Sequence, residues 1–119
     1  MITEAARTWV KNQLKSLSNP TGYLYMGIGS GGDSTNPNAT SLDAPLGSRV
    51  SVTPTESSVA TLDWTYIFDG ANYVGETIKE VGIFNAASAG DMLIRVNMDG
   101  IGPIVASDTI EITVTVEVD

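Results

Sequence analysis

Neither cysteine nor histidine occurs in the sequence. The first absence removes any disulfide framework and all thiolate chemistry, and it leaves the redox compartment open. The second removes the usual Ser-His-acid triads and the commonest transition-metal ligand. Basic side chains are scarce as well: 6 Lys and Arg stand against 14 Asp and Glu, for a net charge of -8 and a pI near 4.2. Neutralising nucleic-acid phosphates takes a basic stripe, so nucleic acid is not an expected partner. No apolar run nears the length of a bilayer-spanning helix, and Met1-Ile2-Thr3-Glu4 lacks the basic and apolar regions of a signal peptide. Neither membrane insertion nor secretion by a signal of its own is expected.

What is present fits one domain over 1–119, with 42% hydrophobic content and a mean hydropathy of +0.08. Its centre is the stretch from Glu76 to Val96. Ile78, Val81, Ile83 and Phe84 come before a small-residue segment, Ala86-Ala87-Ser88-Ala89-Gly90-Asp91, and Met92, Leu93, Ile94 and Val96 come after it. Two apolar arms around such a segment predict a hairpin with a longer loop. Gly82 inside the first arm implies a bulge or a close neighbour. Glu80 in the same arm is placed to pair with Arg95 across the hairpin.

Before this centre, Thr3 can cap a helix on which Ile2, Ala5, Ala6, Trp9, Val10, Gln13, Leu14 and Leu17 follow a helical period, and Ser18-Asn19-Pro20-Thr21-Gly22 ends it. A helix is expected over about 4–17. Tyr23 to Ile28 reads as a strand apolar enough to be covered on both faces, one of them by the helix. Val50–Val52 and Val59–Phe68 are further strands, the second turning Ala60, Leu62, Trp64, Tyr66 and Phe68 to the core. Asp69-Gly70-Ala71-Asn72 and Asp99-Gly100-Ile101-Gly102-Pro103 are breaks, and Ile110, Ile112, Val114, Val116 and Val118 alternate with polar residues in the clearest strand of the chain. The fold class expected is mostly β, an antiparallel β-sandwich of six or seven strands over 23–118, with one N-terminal α-helix within 1–17 packed on a face or an end.

Little in the pattern points to chemistry. Gly27, Gly29 and Gly32 match the spacing of a dinucleotide fingerprint, but the polar segment Asp33-Ser34-Thr35-Asn36-Pro37-Asn38 follows them where a helix should begin. A tight or flexible loop over 29–47 is the expectation instead. In that loop Asn38-Ala39-Thr40 is a glycosylation sequon. Asp33, Thr35, Asn36, Asn38 and Asp43 offer oxygen ligands, although Pro37 breaks the alternation of a calcium loop. An ordinary polar loop is the simpler reading of both, with a bound cation or a glycan as the alternatives. Asp63, Asp69, Glu76 and Glu80 are the acids nearest Trp64 and Tyr66 and are the pair candidates for glycoside cleavage. Solvated or paired acids are expected instead, and Trp9 and Trp64 read as core residues. No catalytic, cofactor-binding or metal residues are assigned, no cofactor is expected, and the chain is not read as an enzyme.

Charge is unevenly distributed. Residues 1–17 hold three basic and one acidic side chain, +2, which leaves -10 for the rest. Arg7, Lys11 and Lys15 recur every fourth residue on one helix face. They are either a solvated face or the candidate contact with an acidic neighbour, another copy of the chain included.

The order of features resembles that of a family of small virion proteins of tailed bacteriophages and related archaeal tailed viruses, which serve as tail, tail-fibre or baseplate-associated components. The residues that carry the likeness are the N-terminal helix, Met26-Gly27-Ile28-Gly29-Ser30-Gly31, Leu42, Leu46-Gly47, Arg49, Ile78-Lys79-Glu80-Val81-Gly82-Ile83-Phe84, Gly90-Asp91-Met92-Leu93-Ile94-Arg95, Ile104 and Ser107-Asp108-Thr109. The likeness implies a non-enzymatic structural protein, located in the virion and assembled in the host cytoplasm, whose partners are copies of itself and other virion proteins. A homo-oligomer is expected, a trimer where the module lies on a tail or fibre axis. A capsid decoration or head-fibre protein is one alternative, and a sugar-binding adhesive β-sandwich module is another.

Overall fold

The computed structural model of the protein describes residues 22–31 and 41–117. The expected helix over 4–17 and the sequon at Asn38 lie outside these residues. Seven strands follow in order: β1 (Tyr25–Gly29), β2 (Val50–Ser51), β3 (Thr55–Ser58), β4 (Thr61–Asp69), β5 (Ile78–Phe84), β6 (Met92–Ile101) and β7 (Thr109–Glu117), with a 3-10 turn, Gly70–Asn72, after β4. They form two antiparallel sheets. The first has the order β2-β1-β5-β6 and the second β3-β4-β7.

Alternation along the strands decides the core. Leu62, Trp64 and Phe68 from β4 and Ile110, Ile112 and Val114 from β7 meet Met26 and Ile28 from β1 and Ile78, Val81 and Ile83 from β5 in a single cluster. Nine cross-strand pairs, from Thr61↔Glu117 to Asp69↔Thr109, hold β4 to β7 in one register. A slip by one residue would turn every inward side chain to solvent. Opposite the core, hydroxyls and acids bond across the second sheet: Thr65 and Thr113 share a hydrogen bond of 2.9 Å, and Thr115 donates to Asp63 at 2.7 Å.

The expected hairpin is present, and β5 lies inside its sheet between β1 and β6. Several expectations need correction. β6 runs on to Ile101, through the expected break at Asp99-Gly100, because Gly100 takes a φ of 126° where the register between β5 and β6 shifts. The strand expected from Val59 begins at Thr61. Val59 and Ala60 form a turn, in which the Ser58 hydroxyl accepts from the Ala60 N–H at 3.3 Å and donates to Thr61 Oγ1 at 2.8 Å. Ala60 is therefore not in the core cluster. β3 was not expected at all, since Thr55-Glu56-Ser57-Ser58 is exposed throughout and carries no apolar pattern. Phe84 is buried, but it lies outside the core cluster between the sheets.

Phe84 belongs to a second buried layer. Gly82 and Phe84 of β5 lie opposite Gly27 and Tyr25 of β1, on the face turned away from the core. Residues 44–46 extend the β2 side of the sheet: the Ser30 N–H donates to the Ala44 carbonyl at 2.9 Å, and the Leu46 N–H to the Ile28 carbonyl at 2.8 Å. Leu42, just before them, is 5% exposed and lies over Gly27 and Gly82. Among the described residues it is this segment that covers the outer face of β1 and β5.

Candidate functional site

Four charged side chains, Glu80, Arg95, Asp43 and Arg49, meet on that outer face. Glu80 is fully buried. Its Oε1 accepts the Asp43 N–H at 2.7 Å, and its Oε2 stands 3.7 Å from Arg95 Nη2. The same nitrogen donates to Asp43 Oδ2 at 3.0 Å. Arg95 comes from β6, directly opposite Gly82, and its side chain is 8% exposed. One guanidinium thus joins two carboxylates from distant parts of the chain.

The glycines make this possible. A β-carbon at Gly29 would lie 2.7 Å from both the Ala44 carbonyl oxygen and Glu80 Cγ, and one at Gly31 would overlap Glu80 Oε2. One at Gly82 would lie 2.8 Å from the Phe84 ring. The Gly27-x-Gly29-x-Gly31 run therefore makes room for an acid and an aromatic ring. This is also the close neighbour that Gly82 implied.

Arg49 seals the other end of the layer. Its guanidinium lies 3.5 Å from the Phe84 ring centroid, and Nη1 donates to the carbonyls of Ala86 at 2.8 Å and Ala89 at 2.7 Å. Burial pulls its pKa below the ordinary guanidinium value, and a guanidinium stays charged regardless. The hairpin loop is closed further by Asp91, whose N–H donates to Asn85 Oδ1 at 2.7 Å. A lysine cannot both stack flat on a ring and fork between two carbonyls. Arg49→Lys is therefore expected to cost about 1–3 kcal/mol and to open residues 85–91 to proteolysis. Thermal unfolding and limited digestion measure the two effects, and unchanged digestion would show that Arg49 does not hold the loop.

The acids considered for glycoside cleavage are dispersed. Asp63 accepts from Thr115 on the outer face of the second sheet, and Asp69 caps the 3-10 turn by accepting the Ala71 N–H at 3.0 Å. Glu76 is exposed, and Glu80 is sealed in the layer just described. Trp64 has no exposed surface and donates Nε1–H to the Tyr23 carbonyl at 2.7 Å, so its ring is closed to a sugar. The expected pairing of Glu80 with Arg95 is found. Asp43, named as an oxygen ligand of the 29–47 loop, is instead the second partner of Arg95, and the other residues of that set lie outside the described residues. Among the described residues no group of three or more acids is placed to hold a metal. No helix among them is long and apolar enough to cross a membrane.

The partner-contact candidates Arg7, Lys11 and Lys15 also lie outside the described residues. The described residues themselves are acidic. The described residues carry eleven carboxylates and three cations. Two of those cations, Arg49 and Arg95, are engaged internally, and Lys79 is the exposed one.

The participation of Asp43 and Arg49 escapes sequence reasoning. Each reaches its partners across 37 or more residues, and neither sits in a local pattern. The usable signal was the glycine run itself, since glycines on one face of a buried strand ask what fills the space. No family model matches the chain, and no curated protein matches it in sequence.

Proposed function

We propose that the chain is a non-enzymatic structural component of a virus particle, of the tail, baseplate or fibre, built as a β-sandwich with an N-terminal helix. It assembles through contacts with copies of itself and with neighbouring virion proteins. The observation that carries this reading is where the functional groups go. Glu80, Arg95, Asp43 and Arg49 bind parts of the chain to one another, while long strand edges and an acidic exterior face outward. Such a body suits contact with neighbours better than turnover.

In this reading the basic positions Arg7, Lys11 and Lys15 dock on an acidic neighbour in the particle. The contact is exposed and electrostatic, so salt weakens it, and replacing all three residues by Glu weakens it further. The test is incorporation. Wild-type protein is expected in purified particles, in the tail fraction after disruption, and the triple Glu variant is expected to be depleted by about tenfold or more. Recovery in the head fraction would favour a capsid decoration or head-fibre role. Absence from particles together with glycan binding by the isolated protein would favour the adhesive module and defeat the proposal.

A further inference from the structure

The sequence contains two Asp-Gly pairs, Asp69-Gly70 and Asp99-Gly100. In such a pair the following amide nitrogen reaches the side-chain carboxyl with least hindrance, because glycine has no side chain and its backbone is free to rotate. The fold treats the two pairs oppositely. Asp69-Gly70 is locked. Its carboxylate accepts the Ala71 N–H at 3.0 Å, and the Gly70 N–H donates to the Asp108 carbonyl at 2.8 Å. Gly70 is also buried, so tightly that a β-carbon there would lie 2.5 Å from the Val105 carbonyl oxygen. Asp99-Gly100 lies in the open. Both of its residues are exposed. Between the pairs Glu80↔Asn97 and Ile78↔Ile101 the register shifts, so that three residues of β6, Met98 to Gly100, stand against Lys79 alone. Neither Asp99 nor Gly100 therefore has a partner in the register, and the chain bulges. On the far side of β6 no strand lies among the described residues. Gly100 holds a φ of 126°, a backbone state that glycine adopts without strain.

We propose that Asp99-Gly100 is a site of spontaneous backbone modification, at which Asp99 converts to β-linked isoaspartate through a cyclic imide. The Gly100 nitrogen attacks Cγ of the Asp99 carboxyl in its neutral form. An N–Cγ bond forms, the N–H proton and the carboxyl OH leave as water, and a five-membered imide results. Water then reopens the ring. Attack at Cγ restores aspartate. Attack at the main-chain carbonyl carbon leaves Gly100 linked through the side chain of Asp99 and frees the former main-chain carbonyl as a carboxylate. One water is lost and one is gained, so mass and charge are conserved and no other reactant enters.

The position gives the change a structural consequence. Isoaspartate adds one methylene to the main chain of β6 just before Ile101, which pairs with the fully buried Ile78. Beyond Ile101 the chain is clamped. A β-carbon at Gly102 would lie 2.6 Å from the Glu76 carbonyl oxygen, and the Ile104 N–H donates to that same carbonyl at 2.9 Å. The added length thus falls between an unpaired bulge and a fixed segment. The inference goes beyond the proposed function and stands without it, since a chain absent from virus particles would carry the same site.

Ageing the full-length protein at neutral pH in heavy-oxygen water tests it, because each passage through the imide places one heavy oxygen in the carboxyl group. Peptide mapping locates the label, and methyl acceptance from a protein isoaspartyl methyltransferase reports the β-linked product. No variant is needed, because Asp69 serves as the control within the same chain. In the folded protein Asp99 is expected to be labelled at least about tenfold faster than Asp69. In concentrated urea the two sites are expected to react within about threefold of each other, since it is the fold that separates them. Equal labelling of the two sites in the folded protein, faster labelling at Asp69, label at Asp99 only after unfolding, or no methyl acceptance by the aged peptide that contains Asp99 would each overturn the inference.

Discussion

Trp64→Ala is expected to destabilise the fold by about 3–5 kcal/mol, a large share of the 5–15 kcal/mol typical of a domain this size. Three features combine at this residue. The side chain has no exposed surface, it lies on β4 opposite Val114 in the middle of the second sheet, and its Nε1–H satisfies the carbonyl of Tyr23, two residues before β1, at 2.7 Å. Truncation therefore opens a cavity between the sheets and leaves a carbonyl without its donor. Trp64→Phe separates the two: it keeps most of the apolar volume, and its cost should fall to about 1–3 kcal/mol. Phe84→Ala tests the outer layer in the same way. It removes the ring under Arg49 and beside Gly82, and a loss of about 3–5 kcal/mol is expected although the residue never touches the inter-sheet core. Denaturant unfolding of the three variants reads these losses. An unchanged midpoint for Trp64→Ala would mean that the sheets do not close on this residue, and one for Phe84→Ala that the outer layer is not a packed one.

What the sequence made legible follows from solvent. β4 and β7 face water on one side, so Leu62, Trp64, Ile110, Ile112 and Val114 stand out against Thr and Asp neighbours. The β5–β6 hairpin was legible from its loop, and the Glu80–Arg95 pair from its position across that hairpin. β3 was not, because a strand with every residue exposed has no apolar period to detect. The outer layer was hidden for a different reason. β1 and β5 are covered on both faces, so burial there erases the alternation that reveals a face, and glycines stand where large side chains would mark it. Nothing in the sequence assigns the ring of Phe84 to one side of β5, since a run such as Val81-Gly82-Ile83-Phe84 is apolar in both directions. The site chemistry depends on Asp43, 37 residues from Glu80, a separation over which no local rule operates.

The second large effect concerns Arg95, and the arrangement predicts an asymmetry between it and Glu80. Arg95 has two acids within reach, at 3.0 Å and 3.7 Å, so loss of Glu80 leaves it paired with Asp43. Among the described residues Glu80 has one cation, so loss of Arg95 leaves a fully buried carboxylate beside a second acid, with the Asp43 N–H as its remaining described partner. Arg95→Met, which keeps the apolar stem, is accordingly expected to cost about 3–5 kcal/mol, the range for an uncompensated buried charge. Glu80→Gln keeps an acceptor for the Asp43 N–H and removes the charge, and about 1–2 kcal/mol is expected. The decisive variant is the double one. Once Arg95 is gone, replacing Glu80 by Gln removes the stranded charge, so the double mutant should be more stable than Arg95→Met alone by about 1–3 kcal/mol. Urea unfolding of the two single variants and the double variant measures the coupling. Additive losses would mean that the three side chains act independently and that residues 42–46 are held on the sheet by packing and by the backbone hydrogen bonds of Ala44 and Leu46. A sign reversal would identify the buried charge cluster as the clasp that fixes this segment over the glycines.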